Sequence, residues 1–252
     1  MLEPSGLVIG LLLATLAGLS TALGGLAVVV LGKPSPTVLA FALGLSAGVL
    51  VLISFVELLN GAIETLGFTT AVIPFFVGIG SIFAVDALFP HDYLEEHRPG
   101  STYLHRLGLF SALGIAIHNF PEGLAVLSGA ISSPSLGVLL AVTIGIHNIP
   151  EGVVVALPIF AGTGDRSRAL LYSLVAGAAE PLGAAIAALV LSPIVVTGTL
   201  PYLLSFVAGV MVFISLDELL PAAHRCAHEH IVILGVVTGL AMMSFALGLL
   251  QD

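Results

Sequence analysis

The chain has 252 residues, of which 58% are hydrophobic and 8% charged, and its formal net charge at pH 7 is -9. Soluble domains carry about 25% charged residues, and a chain of this length cannot bury so much apolar surface in a soluble core. The composition therefore excludes a soluble domain and predicts an integral membrane protein, while six Lys and Arg residues give no support for nucleic-acid binding.

The apolar runs predict an all-α fold with eight transmembrane helices, because the core of a bilayer takes about 20 apolar residues per helix. The runs are long and continuous rather than short and alternating, which favours helices over a β-barrel. Together they form a single transmembrane domain of residues 1–252 in contact with the lipid bilayer. In chain order the predicted spans are residues 5–31, 36–61, 68–90, 103–130, 135–160, 167–191, 199–223 and 229–250.

The positive charges predict the orientation, since all of them fall in odd-numbered loops or in the first four residues of the span that follows. They are Lys33, Arg98, Arg106, Arg166, Arg168 and Arg225. Cytoplasmic loops carry the excess of Lys and Arg, so the odd loops are predicted to be cytoplasmic and both termini outside. We find no cleavable signal pattern at the start of the chain. The expected location is the plasma (cytoplasmic) membrane, with multiple spans.

Two pairs of helices carry an internal repeat. Residues Ala47–Leu59 of helix two match Ala208–Leu220 of helix seven, which aligns Glu57 with Glu218. Helix one matches helix six more weakly, through Ala17-Gly18 with Ala176-Gly177 and Leu23-Gly24 with Leu182-Gly183. An odd number of crossings separates the copies, so we expect an inverted repeat of helices 1–3 and 6–8 around helices 4–5. Inverted repeats around a midplane site are a transporter architecture.

The repeat also predicts where the membrane carboxylates lie. Helix two runs outward, so Glu57 is expected near the outer end. Helices seven and three run inward, so Asp217, Glu218 and Asp86 are expected near the cytoplasm. These residues predict a polar path with an entrance, a central site and an exit.

A six-residue motif, His-Asn-x-Pro-Glu-Gly, occurs twice, at residues 118–123 and 147–152 in the fourth and fifth helices. We call the two copies the paired motif. In each copy the histidine and the glutamate are four residues apart and share a helix face, and an ionisable group inside a membrane indicates function. Imidazole, carboxylate and amide oxygen together suit a divalent transition metal. The candidate ligands are His118, Asn119, Glu122, His147, Asn148 and Glu151.

Glu180 on helix six is a further candidate ligand, followed by Pro181. Three ionised glutamates, Glu122, Glu151 and Glu180, would repel one another unless a divalent cation or protons offset their charge. Proline lacks an N–H, so Pro121 and Pro150 each free a backbone carbonyl that a hydrated cation can use. Mixed histidine and carboxylate ligands suit zinc, iron, manganese or cobalt, whereas the lack of thiolate argues against copper(I).

Other interpretations of these residues remain open at this point. The polar groups can serve as hydrogen-bonding glue between helices four and five. A proton-coupled carrier of a small organic cation needs the carboxylates but not the paired histidines. An intramembrane metallohydrolase needs a fixed metal, an activated water and an open coordination position. A metal exporter is a fourth alternative, since topology does not determine the direction of flux.

At these residues the chain resembles the ZIP family of divalent metal transporters, and most of all its bacterial ZupT-type branch. The resemblance covers nearly the whole chain. It includes the eight-span layout, the paired motif, Ala179-Glu180-Pro181 on helix six and the segment from Ser215 to Pro221 on helix seven.

The resemblance implies a transporter rather than an enzyme, with no prosthetic group, that takes zinc and related cations (iron, manganese, cobalt and cadmium) into the cytoplasm. It implies an elevator-type motion of one helix bundle against another, and a homodimer is compatible with it. In the implied binuclear site, His118, Glu122, His147 and Glu151 match the first metal position. The second position matches Asn119, Asn148 and Glu180, with the carboxylates of Glu122 and Glu151 between the two. Asp86, Asp217 and Glu218 match the inner release path.

The chain departs from that family in three places. The loop from His91 to His105, with Asp92, Glu95, Glu96 and His97, is short where many relatives have a long His-rich loop. The seventh loop, residues 224–230, begins with His224 and could hand metal to the cytosol. At the helix-two position where some relatives present a sulfur ligand, this chain offers Val49 or Leu50, which suggests a weaker preference for cadmium.

Overall fold

The computed structural model describes residues 4–88, 101–190 and 193–251. Among these residues there is no strand, and eight helices are long and apolar enough to cross a membrane. This confirms the predicted all-α fold with eight spans. The helices are α1 Pro4–Leu31, α2 Pro36–Leu66, α3 Phe68–Leu88, α4 Ser101–Ser132, α5 Pro134–Thr163, α6 Arg166–Val190, α7 193–226 and α8 Glu229–Gln251. The predictions for Arg98 and for His91, Asp92, Glu95, Glu96 and His97 lie outside the described residues.

Most helices extend beyond their predicted ends, because the apolar runs underestimate polar helical turns. Helix α2 was predicted to end at residue 61 but continues to Leu66, with the Asn60 amide donating to Glu64 Oε1 at 2.9 Å across one turn. It stops at Gly67, whose φ of +80° favours glycine. Helix α7 was predicted to end at residue 223 but reaches Cys226, so the first three residues of the predicted seventh loop are helical.

Both copies of the stronger repeat contain one wide π-helical turn, Ser54–Leu59 in α2 and Ile214–Leu219 in α7. Each turn carries a serine whose hydroxyl donates to the carbonyl four residues earlier. Ser54 Oγ donates to the Leu50 carbonyl at 2.7 Å, and Ser215 Oγ donates to the carbonyl of Met211 at 2.8 Å. The repeated sequence therefore folds into the same local structure twice, and such π turns occur often at functional sites.

The helices pack as two groups, with α1, α4, α5 and α6 in one and α2, α3, α7 and α8 in the other. Close glycine contacts inside the second group repeat in an inverted sense. A Cβ on Gly48 of α2 would overlap the Val236 carbonyl of α8, and a Cβ on Gly209 of α7 would overlap the Phe75 carbonyl of α3. Gly48 and Gly209 are aligned residues of the repeat, so this contact occurs once in each half.

The first group has a matching pair of contacts. A Cβ on Gly24 of α1 would overlap the carbonyl oxygen of Ile149 on α5, and a Cβ on Gly183 of α6 would overlap that of Phe120 on α4. Helix α1 thus packs against α5 through the same kind of glycine contact by which α6 packs against α4. The inverted repeat predicted from the sequence is confirmed, with α4 and α5 enclosed between its two halves.

Candidate metal site

The paired motif lies in the middle of α4 and α5, which both stay helical through Pro121 and Pro150. Its polar side chains face inward, and the histidines and glutamates of the motif are at most 2% exposed. Close packing explains the motif's last residue. A Cβ on Gly123 would overlap the carbonyl oxygen of Glu180 on α6, and a Cβ on Gly152 would overlap that of Thr21 on α1. The two glycines therefore let α6 and α1 approach the ligand candidates.

The histidines and glutamates of both copies converge on one point. His147 Nε2 donates to Glu122 Oε1 at 2.7 Å, and His118 Nε2 lies 3.0 Å from the same oxygen and 3.2 Å from Glu151 Oε1. His118, His147 and Glu151 each offer one ligand atom within 4.8 Å of the other two. The structure thus brings together all four residues that match the first metal position, in a geometry that a transition metal can occupy.

The two asparagines are held by backbone carbonyls of α1 and α6. The Asn148 amide donates to the Ala17 carbonyl at 3.0 Å and to Glu180 Oε2 at 2.8 Å. The Asn119 amide donates to the Ala176 carbonyl at 3.1 Å. Each amide donates to protein partners through its nitrogen, which leaves its oxygen available as an acceptor.

Several buried oxygens of the site have no hydrogen-bond donor in the described part of the chain. Carboxylate and amide oxygens only accept, and a buried acceptor without a partner is costly. The atoms are Glu122 Oε2, Glu151 Oε2, Glu180 Oε1, Asn119 Oδ1 and Asn148 Oδ1. Cations bound in the two implied positions would satisfy these acceptors, whereas hydrogen-bonding glue between α4 and α5 would leave no such set of acceptors.

Two flanking groups of acids belong to the other helix group. Glu57, in the π turn of α2, interacts electrostatically with His147 and Glu122, and the described residues offer no hydrogen-bond partner to its buried Oε2. Asp86 of α3 and Asp217 and Glu218 of α7 place one carboxylate oxygen each within 4.8 Å of the other two. We call these three residues the α3–α7 acid cluster.

His224 lies near the end of α7, exposed, and donates from Nδ1 to the Leu220 carbonyl at 2.7 Å. This bond fixes the ring on its own helix. Val49 and Leu50 are buried apolar residues of α2.

The carbonyls that hold the two asparagines were not predicted from the sequence. Ala17 and Ala176 were recognised only as part of the weaker repeat between α1 and α6. Their position in the sequence could have indicated a role, because both directly precede the glycines that bring α1 and α6 together. A residue that supplies only its backbone oxygen leaves no trace in side-chain chemistry.

Comparison with known proteins identifies the family. The model of a family described as ZIP Zinc transporter matches residues 91–247. A protein of Chlorobium phaeovibrioides named Zinc transporter ZupT is 47% identical, with 95% of this chain and 97% of that protein covered. Proteins of the same name from Akkermansia muciniphila and Streptococcus mutans are 44% and 42% identical, each with 94% of this chain and 95% of the relative covered. The chain belongs to the ZIP zinc transporter family.

Proposed function

We propose that the protein moves zinc across the plasma membrane into the cytoplasm, with both termini outside. Iron(II), manganese, cobalt and cadmium are proposed as further substrates. Proteins 47% and 44% identical over nearly the whole chain are named zinc transporters, and the distribution of Lys and Arg supports the orientation. Membership of a transporter family sets aside the intramembrane hydrolase and the carrier of organic cations.

The observation that carries the proposal is the buried set of acceptor oxygens around two histidines. In the proposed first position, His118, Glu122, His147 and Glu151 bind the metal. In the second position, Asn119, Asn148 and Glu180 bind it, with the two motif glutamates shared between the positions. A transporter must release its cargo, and ligands without thiolate suit release better than a tight cysteine site.

The flanking acids extend the site into a path. Glu57 supports an entry step, since its carboxylate interacts electrostatically with His147 and Glu122. The α3–α7 acid cluster supports an exit step on the cytoplasmic side, and His224 near the end of α7 is proposed to follow it. Because the entry and exit acids belong to one helix group and the central ligands to the other, the arrangement fits alternating access by relative motion of the groups.

The test is metal uptake into proteoliposomes of the full-length protein, with Zn²⁺, Fe²⁺, Mn²⁺ and Co²⁺ in parallel. We expect saturable Zn²⁺ uptake that is lost in Glu122→Ala, Glu151→Ala protein that still inserts, because both positions then lose their shared carboxylates. Glu64→Ala is the matched control, since Glu64 is bonded to Asn60 at the end of α2. Full activity of the double variant would contradict the binuclear site.

A further inference from the structure

Thr21 of α1 is fully buried, and its hydroxyl has no hydrogen-bond partner among the residues that the structure describes. A helical threonine ordinarily donates to the carbonyl four residues earlier. Thr15 of the same helix does so to Leu11 at 2.7 Å, and Thr143, the other buried threonine among the described residues, does so to Leu139 at 2.9 Å. The unbonded hydroxyl of Thr21 therefore needs an explanation, because a buried donor or acceptor without a partner is costly.

The carbonyl that Thr21 would use is that of Ala17, which receives the side-chain amide of Asn148 at 3.0 Å. A carbonyl oxygen has two lone pairs and could accept a second bond, yet the Thr21 hydroxyl does not make it. Asn148 of the paired motif is thus the side-chain donor to the carbonyl that the Thr21 hydroxyl would ordinarily use. The hydroxyl is left to serve another group.

The inverted repeat assigns Thr21 a counterpart. Gly152 packs on the carbonyl of Thr21, as Gly123 packs on the carbonyl of Glu180. One turn before each, a carbonyl receives a motif asparagine, at Ala17 before Thr21 and at Ala176 before Glu180. Thr21 therefore occupies in α1 the position that Glu180, a candidate metal ligand, occupies in α6.

The neighbouring glycines place Thr21 and Glu180 against the same crossing of α1 and α6. A Cβ on Gly177 would lie 3.0 Å from Thr21 Cβ, and a Cβ on Gly18 would lie 3.3 Å from Glu180 Cβ. Ala17, whose carbonyl binds Asn148, is one turn from Thr21 on the same face of α1. The Thr21 side chain therefore lies at the α1–α6 crossing, on the helix face whose Ala17 carbonyl holds Asn148.

We propose that Thr21 is a further ligand of the metal site, contributing its hydroxyl oxygen to a cation bound beside Asn119, Asn148 and Glu180. The inference rests on the proposed function, and it extends the site to α1. A neutral oxygen in place of a second carboxylate lowers the charge of this position. Oxygen ligands suit harder divalent ions such as Mn²⁺, so Thr21 would let the protein accept manganese as well as zinc.

The test is Mn²⁺ binding to purified, metal-free, full-length protein, measured from the electron paramagnetic resonance signal of unbound Mn²⁺. We expect Thr21→Val, which keeps the branched shape and removes the hydroxyl, to raise the Kd for Mn²⁺ by about tenfold, the scale of losing one group that supports a metal. Thr21→Ser keeps the hydroxyl and should bind like the wild type. Thr15→Val is the matched control on the same helix, because the Thr15 hydroxyl is already bonded to Leu11.

Competition of Zn²⁺ with a chromophoric chelator completes the test. We expect a smaller loss for Zn²⁺ than for Mn²⁺ in Thr21→Val, because zinc favours nitrogen and sulfur ligands. The metal-free variant should melt no lower than the wild type, since the change removes an unsatisfied hydroxyl.

Four results would overturn the inference and leave the proposed zinc transport intact, and the last of them would also remove manganese from the proposed substrates. They are unchanged Mn²⁺ affinity in Thr21→Val, a Thr21→Ser variant as weak as Thr21→Val, parallel loss of both metals together with a lower melting temperature, and a wild type that binds Zn²⁺ but not Mn²⁺. A wild type that binds neither metal would instead overturn the proposed function.

Discussion

Glu180 is a buried carboxylate of the central site with one hydrogen-bond donor among the described residues. It is fully buried, Oε2 receives one hydrogen bond from Asn148, and Oε1 receives none. A buried carboxylate with a single donor is costly. The Asn148 amide therefore stabilises the Glu180 carboxylate in addition to its bond to the Ala17 carbonyl. Within the described part of the chain, the Asn119 amide donates to the Ala176 carbonyl and not to a carboxylate. The two motif copies are therefore alike in sequence and different in energetics.

Replacing the asparagines separately tests this difference. We expect Asn148→Ala to destabilise the metal-free protein by about 1–3 kcal/mol, because it removes a donor from a buried carboxylate, and Asn119→Ala to cost about 1 kcal/mol, the net value of an ordinary hydrogen bond. Thermal unfolding in detergent, followed by circular dichroism, measures both variants side by side. Equal losses, or a larger loss for Asn119→Ala, would contradict the assigned role of Asn148.

Glu57 gives a second prediction at the scale of one residue. Its carboxylate interacts electrostatically with His147 and Glu122 without belonging to their close cluster, so we expect it to attract the cation rather than to hold it. Glu57→Gln should raise the KM of zinc uptake by about tenfold, the lower end of what a charged cleft contributes to association, while zinc affinity at equilibrium stays near that of the wild type. Glu64→Gln on the same helix is the control, and a KM unchanged in Glu57→Gln would remove Glu57 from the path.

At the scale of elements, close helix approach decides where the ligands sit. Gly123 and Gly152 end the two motif copies, and each meets a backbone carbonyl of a neighbouring helix. Small residues at helix contacts are the usual means of close packing in membranes. Here Gly123 also brings α4 close to Glu180 of α6, and Gly152 brings α5 close to Thr21 of α1.

An added methyl group tests the contact between α5 and α1. Gly152→Ala would place a Cβ onto the carbonyl oxygen of Thr21, and because backbone cannot swing aside as a flexible side chain can, we expect a loss of at least 1–3 kcal/mol together with weaker metal binding. Gly80→Ala in α3 is the matched control, since a Cβ there meets nothing within 4 Å. Thermal unfolding and zinc titration of the two variants would separate them, and a Gly152→Ala protein that resembles Gly80→Ala would contradict the packing argument.

The sequence was sufficient to predict the spans and to identify the paired motif as the candidate metal site, since hydropathy and a repeated set of polar residues are properties of the chain itself. It could not predict the π turns at Ser54 and Ser215, because hydropathy does not record the number of residues in one turn. Thr21 was also missed, since a threonine in a membrane helix ordinarily bonds its own backbone. Its exceptional state depends on Asn148 reaching the Ala17 carbonyl from another helix, which is a property of the packed structure.

At the scale of the whole molecule, the polar groups divide between the two helix groups. The candidate ligands lie on α4, α5 and α6, whereas Glu57 and the α3–α7 acid cluster lie on α2, α3 and α7. Any relative movement of the groups therefore changes the distance between the central site and the flanking acids. Contacts that join the groups, such as those between α4 and α7, must rearrange in such a movement.

The contact between α4 and α7 includes Arg225, which is next to a cysteine that can report on it. The guanidinium of Arg225 on α7 lies 4.9 Å from the ring centroid of Tyr103 on α4, and the next residue, Cys226, is the single cysteine of the chain and partly buried. A cation–π contact of about 0.5–2 kcal/mol holds the two helix groups together at this end, so its loss should expose Cys226 more often. We expect Tyr103→Leu to speed alkylation of Cys226 by N-ethylmaleimide severalfold, and Tyr103→Phe, which keeps the ring, to leave the rate unchanged.

Mass spectrometry of the full-length protein in proteoliposomes gives the alkylation rate. Tyr202→Leu is the control, because Tyr202 is 44% exposed near the other end of α7 and its loss should not affect Cys226. Equal rates in Tyr103→Leu and the wild type would mean that the ring does not restrain this end of α7. Faster alkylation in Tyr103→Phe as well would assign the restraint to the hydroxyl instead, since the phenylalanine ring preserves the cation–π contact.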